Sequence, residues 1–197
     1  MNESRIDKAR IEAAVSEILA AIGEDLDRPG LETTPARVAE AYADFFSGVG
    51  EDADRHLVDS IPVGDDTGEL VLMRDLTFRS VCEHHLLPFQ GVAHIAYQPN
   101  ERVVGLGALP RLLSDYASRP QVQERLTEQV ATSIESALRP HGVLVVLEAA
   151  HGCVTDRGPR QLNSTIVSVA SRGKLADPAA RAEIMSLIGS SSRRSAE

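Results

Sequence analysis

The chain contains no tryptophan, and its aromatic side chains are four phenylalanines and three tyrosines, so any core must be built from aliphatic residues. Two cysteines are too few for a disulfide-stapled scaffold. Lysine is nearly absent, at positions 8 and 174 alone. All 20 basic residues stand against 29 acidic ones, for a formal net charge of -9. A surface of that sign without a basic stripe repels phosphate backbones, which argues against general nucleic-acid binding, and an anionic ligand must meet a local cluster of arginines. No apolar run approaches the roughly 20 residues that cross a bilayer. The opening MNESRIDKARIEAA is charged and lacks the apolar centre of a secretion signal. The expectation is a cytoplasmic protein without a membrane partner. In a reducing compartment, two cysteines point to metal ligation, catalysis or inert burial.

What is present is a chain of 197 residues, 43% of them hydrophobic, long enough for one domain or one domain with an appendage. Ile11, Val15, Ile18, Leu19 and Ile22 recur at helical spacing before Gly23. A second helix is expected in ETTPARVAEAYADFFSG, with Thr34 as its cap and Pro35 in its first turn. An acidic, glycine-containing stretch follows, and the reading divides the chain into a helical segment with its acidic loop, 1–66, and a main domain, 67–197. Strand-like patterns in ELVLMRDLTFRS and VAHIAYQP precede two helices marked by Leu109, Leu112, Leu113 and by Val122, Leu126, Val130, Ile134. Two more strands, GVLVVLEAA and NSTIVSVAS, and a short helix near 179–188 complete the chain. Paired strands alternating with helices imply an α+β fold on an antiparallel sheet, with its helices on one face.

One stretch carries unusual chemistry. RSVCEHHLLPFQG sets Cys82, Glu83, His84 and His85 in succession, and the second cysteine, Cys153, lies in EAAHGCVTDRG beside His151 and Arg157. Such groups are costly to bury unless something pairs with them. Cys82, His85 and Cys153 form a ligand set suited to tetrahedral zinc with a fourth position left for water, as in catalytic sites. His84 and His151 would then stand unligated as general acids or bases. Read from spacing alone, the same residues also fit two buried thiols among ordinary histidines.

SVCEHHLLPFQGVAHIAYQP, RPQVQERLTEQVA and EAAHGCVTDRG resemble the signature blocks of the GTP cyclohydrolase I family, and IGEDLDRPGLETTPARVAEAYADFFSGV resembles its N-terminal segment. The resemblance implies the tunnelling fold: a four-stranded antiparallel sheet with two helices on one face, preceded by a helical segment. It implies assembly into a homodecamer of two five-membered rings, with active sites shared between subunits. It implies hydrolysis of the imidazole ring of GTP to formate and 7,8-dihydroneopterin triphosphate, on the route to tetrahydrofolate and other pterins. Zinc would be held by Cys82, His85 and Cys153. His84 and His151 would move protons, and Gln123 would stand beside them as a catalytic residue. Glu124 would bind guanine, while Arg111, Arg157 and Arg37 would meet the phosphates.

The sequence departs from the family pattern at three places. Gly107 and Ala108 stand where a serine and a lysine are usual, and Glu40 stands where a lysine is usual. Each lost charge-assisted contact would cost roughly 1.5 to 3 kcal/mol. Lysine restored at positions 40 and 108 is therefore expected to strengthen triphosphate binding. The departures leave two alternatives beside GTP cyclohydrolase I itself: a zinc hydrolase opening the same ring on another guanine nucleotide or nucleoside, and a non-catalytic pterin- or purine-binding regulator.

Overall fold

The structure is a computed structural model that describes residues 6–64 and 69–189. The expected division between residues 66 and 67 lies outside the described residues.

Helix α1, Lys8–Ala21, begins where the Asp7 carboxylate accepts from the Arg10 backbone N–H at 3.0 Å. Helix α2, Thr34–Phe45, has Thr33 and not Thr34 at its N-cap position, without a side-chain capping bond, and the Thr34 N–H donates to the Leu31 carbonyl. The two helices pack on each other, burying Val15, Pro35 and Ala39. Ile18 and Ile22, read from the sequence as part of the apolar face, are 59% and 69% exposed. Arg79 ties this pair to the sheet, its guanidinium 4.4 Å over the Phe45 ring and paired with Asp44.

The remaining elements are β1 (Ile61–Pro62), β2 (Val71–Cys82), β3 (Pro88–Gln98), β4 (Arg102–Val103), α3 (Ala108–Ala117), β5 (Pro120–Gln121), α4 (Gln123–Leu138), β6 (Gly142–His151), α5 (Gly152–Thr155), β7 (Ile166–Gly173) and α6 (Pro178–Gly189). The four long strands β2, β3, β6 and β7 form the expected antiparallel sheet in that spatial order. The two-residue β5 extends it beyond β2, in parallel, pairing Gln121 with Cys82. β1 and β4 form a separate two-stranded ribbon.

The sheet explains why GVLVVLEAA does not alternate. Val143, Val145, Leu147 and Ala149 face α3 and α4, whose Leu109, Leu112, Leu113, Leu126, Val130 and Ile134 complete an aliphatic core. Leu144 and Val146 point the other way and are covered, with Ala96, by Leu175 and by Ile184 of α6. The last helix therefore lies on the face opposite the other two. A strand buried on both faces reads as continuously apolar.

Candidate metal centre and catalytic surface

Strands β2 and β3 are joined by the loop that holds Cys82 through Leu87. The loop closes on itself by backbone bonds, Cys82 N–H to Leu87 O and Leu86 N–H to Cys82 O, each 2.8 Å. Leu86 adopts the left-handed region at φ +53, an uncommon conformation for a leucine. Register places the end of β6 beside this loop, with Phe89 opposite His151. The chain then turns through Gly152, where a Cβ would lie 3.0 Å from the Pro88 carbonyl. Glycine thus permits the close approach that carries Cys153 to the Cys82–His85 loop.

The result is a cluster of three donors. The Sγ atoms of Cys82 and Cys153 and a ring nitrogen of His85 all lie within 4.8 Å of one another. Both thiols are free. Burial, and after it the nearby Cys82 sulfur, pushes the Cys153 thiol up. Two neighbouring sulfurs resist ionising together until a cation sits between them, so this donor set fits a divalent soft or borderline metal. His84 is exposed and sits with Nδ1 3.8 Å from the Cys82 sulfur.

His151 lies on the inner side of the cluster, 8% exposed, its ring stacked on Phe89 at 4.4 Å between centroids and 5° between planes. Burial holds its pKa below the ordinary histidine value, and the charge of Glu124 partly opposes this. Gln123, at the first turn of α4, is 1% exposed, and its Oε1 accepts from His151 Nε2 at 2.7 Å. Its neighbour Glu124 is exposed. Next along the helix, Arg125 grips Glu83 with two N–H groups, at 2.5 and 3.1 Å, fastening α4 to the cysteine–histidine loop. Arg125 holds the Glu83 carboxyl below the usual carboxylate range.

The chain belongs to the GTP cyclohydrolase I family. The family model for GTP cyclohydrolase I matches residues 11–189. A GTP cyclohydrolase 1 from Leifsonia xyli is 61% identical over 93% of this chain and 96% of its own length. That of Rhodopirellula baltica is 51% identical over 94% of this chain and 80% of its own, and that of Streptomyces griseus 50% identical over 92% and 90%. The long antiparallel sheet with α3 and α4 on one face is the tunnelling fold expected of this family. A solved chain titled as an archaeosine synthase QueF-Like in the apo form covers 53% of this one at 18% identity, with a TM-score of 0.45.

The remaining candidates are the three arginines expected to meet the phosphates. Arg111 is exposed on α3 and Arg37 on α2, and among the described residues no hydrogen bond or ion pair joins either to the cysteines or histidines of the cluster. Arg157 is exposed, and its charge acts on Cys153. Gly107 leaves room for Arg111, whose Nη1 lies 3.1 Å from where a Cβ would be. Ala108 is 3% exposed, and Glu40 is paired with Lys8, so neither stands as an unpaired group awaiting a phosphate. A cavity of about 380 Å3 opens between α3 and strands β2 and β3, away from the cysteines. Sequence reading passed over the Glu83–Arg125 clamp, whose signal was a charged pair split between two motifs. It also passed over the Phe89 stack, whose signal was the register of β3 against β6.

Proposed function

We propose that the chain is a zinc-dependent GTP cyclohydrolase I of the cytoplasm, converting GTP to formate and 7,8-dihydroneopterin triphosphate. The observation that carries this reading is the convergence of Cys82, His85 and Cys153 within 4.8 Å, flanked by His84 and His151. Zinc, when bound there, supplies the Lewis acidity that activates water near neutral pH.

The residues of the chain do the rest. Glu124, exposed at the α4 N-terminus beside the clamp, accepts from the guanine N–H donors. His84 and His151 hold and pass protons during imidazole opening and release of the C8 carbon as formate; burial favours the uncharged form of His151, the form that accepts a proton. Arg111 on α3, Arg37 on α2 and Arg157 in the turn after α5 meet the phosphates.

The assembly that goes with this reading is a homodecamer. Strand β7 leaves Val167 and Val169 at 54% and 42% exposure along an open sheet edge, and α1 leaves Ile18 and Ile22 uncovered. Continuation of the sheet into neighbouring subunits would cover such an edge.

The test is an assay of purified protein against GTP, GDP, GMP and guanosine, following formate and pterin fluorescence before and after zinc removal, with the mass measured by light scattering. Preference for GTP, loss of turnover on chelation and a decameric mass are expected. A preference for GMP or guanosine would instead favour a hydrolase acting on another guanine compound, in keeping with Glu40, Gly107 and Ala108. Binding without turnover would leave a regulator.

A further inference from the structure

His151 is held by a network in which the direction of each hydrogen bond can be assigned. The Gln123 amide nitrogen lies 3.1 Å from the Leu147 carbonyl, 2.9 Å from the Ile166 carbonyl and 3.0 Å from Ser168 Oγ. Two of those partners are carbonyls that can only accept, so the nitrogen end of the amide must face them. Oε1 is thereby turned to His151, and at 2.7 Å it can only accept, so His151 Nε2 carries the hydrogen. Thr127 Oγ1 donates to the Gln123 backbone carbonyl at 2.8 Å. Its 2.6 Å contact with Ser168 must then be filled by the serine hydrogen, which leaves Ser168 Oγ as an acceptor, so that the two Gln123 amide hydrogens are shared among Ser168 Oγ and the two carbonyls. Gln123, Thr127 and Ser168 are buried, and the Phe89 stack fixes the plane of the imidazole.

We infer that Thr127, one helical turn from Gln123 on α4, and Ser168, on the strand next to β6, are positioning residues. They orient the Gln123 amide and through it lock His151 in the Nε2–H tautomer, leaving Nδ1 as the nitrogen open to substrate. Gln123 is then also a positioning residue and not one that touches the reacting atoms. The inference rests on the proposed role of His151 in proton transfer. A network whose bonds run in one consistent direction favours one ring orientation more strongly than its separate bonds would.

The experiment uses zinc-loaded, full-length protein carrying 15N-histidine and examined as a sediment by solid-state NMR, the His151 signals being those missing from a His151→Asn variant. The wild type should show a protonated Nε2 and an unprotonated Nδ1. In Gln123→Met the tautomer should become mixed or reverse, zinc content should be unchanged, and kcat should fall about 10- to 100-fold, with KM for GTP within about twofold. Ser168→Ala should lower kcat about 2- to 10-fold, the range of one neutral hydrogen bond, and Ser168→Thr should restore it. An unchanged His151 tautomer in Gln123→Met, or a rise in KM with kcat intact, would overturn the inference. Should Gln123→Met fail to fold, the Ser168→Ala loss and its recovery by threonine decide the matter, absence of either counting against the network. A wild type inactive on GTP but showing the Nε2–H tautomer would defeat the proposed function and leave the hydrogen-bond assignment standing.

Discussion

Lys8 and Glu40 meet across the two N-terminal helices, with Nζ 2.7 Å from Oε2. One of only two lysines in the chain thus neutralises the acid that stands where relatives of this family usually carry a cation. The side chains are 45% and 69% exposed, so the pair contributes at most about 1 kcal/mol. Glu40→Lys should change stability by less than about 1 kcal/mol. It should lower KM for GTP more than for guanosine, and the gain should fade as salt is raised. A uniform change across substrates, or none for GTP, would remove position 40 from the phosphate site.

Ala108 behaves differently from what its place in the sequence suggested. It is 3% exposed and packs with Leu109, Leu112 and Leu113 in the main core, so a lysine there meets apolar neighbours before it meets any phosphate. Ala108→Lys is expected to lower stability by about 1 to 3 kcal/mol without improving GTP affinity. Urea unfolding beside GTP titration checks this, and a tighter KM at unchanged stability would restore the sequence-based expectation.

Replacing Cys82, His85 or Cys153 by alanine should abolish both zinc binding and turnover, since three donors cannot lose one and hold the metal in place. Replacing His84 or His151 should keep one zinc per subunit and reduce turnover by roughly 10²- to 10⁴-fold. Elemental analysis separates the two groups. Zinc retained in a cysteine variant, or lost in a His84 variant, would redraw the ligand set.

His94 should make the protein acid-sensitive. It is 5% exposed on β3, its Nδ1 accepts the Asp75 N–H at 3.3 Å, and burial holds its pKa below the ordinary 6.5. Asp75 and Glu148 oppose that shift and Arg74 adds to it. A histidine whose folded pKa is depressed contributes stability above its unfolded pKa and loses it as pH falls from about 6.5 through the folded value. The Tm should therefore decline over that window, and His94→Gln should flatten the decline. An identical pH profile in the variant would show that His94 does not govern it.

The long elements were legible because their patterns are strong: 3.6-residue spacing in α3 and α4, and the Cys-x-x-His motif with a distant cysteine. What the pattern could not show had physical reasons. Gln123 opens an amphipathic helix with a polar first turn, and nothing in QVQERLT tells that its first side chain turns inward to a histidine 28 residues away. Strand β5 is two residues long, too short for any period, and exists only because β2 offers it an edge. α6 covers the back of the sheet, a placement that its length and composition leave open. Ile18 and Ile22 read as core, yet their helix contacts little besides α2 in the isolated chain.

The loop between β2 and β3 has a consequence for how the metal arrives. Two backbone bonds and a left-handed Leu86 set the path from Cys82 to Leu87, and the Glu83–Arg125 clamp anchors it to α4. Two of the three donors therefore sit on a prefabricated frame. Because the bonds that shape this frame use backbone groups and the Glu83–Arg125 pair, not the three donor side chains, stripping and reloading should be a local event: the chelated protein is expected to keep its fold and to regain zinc without passing through the unfolded state.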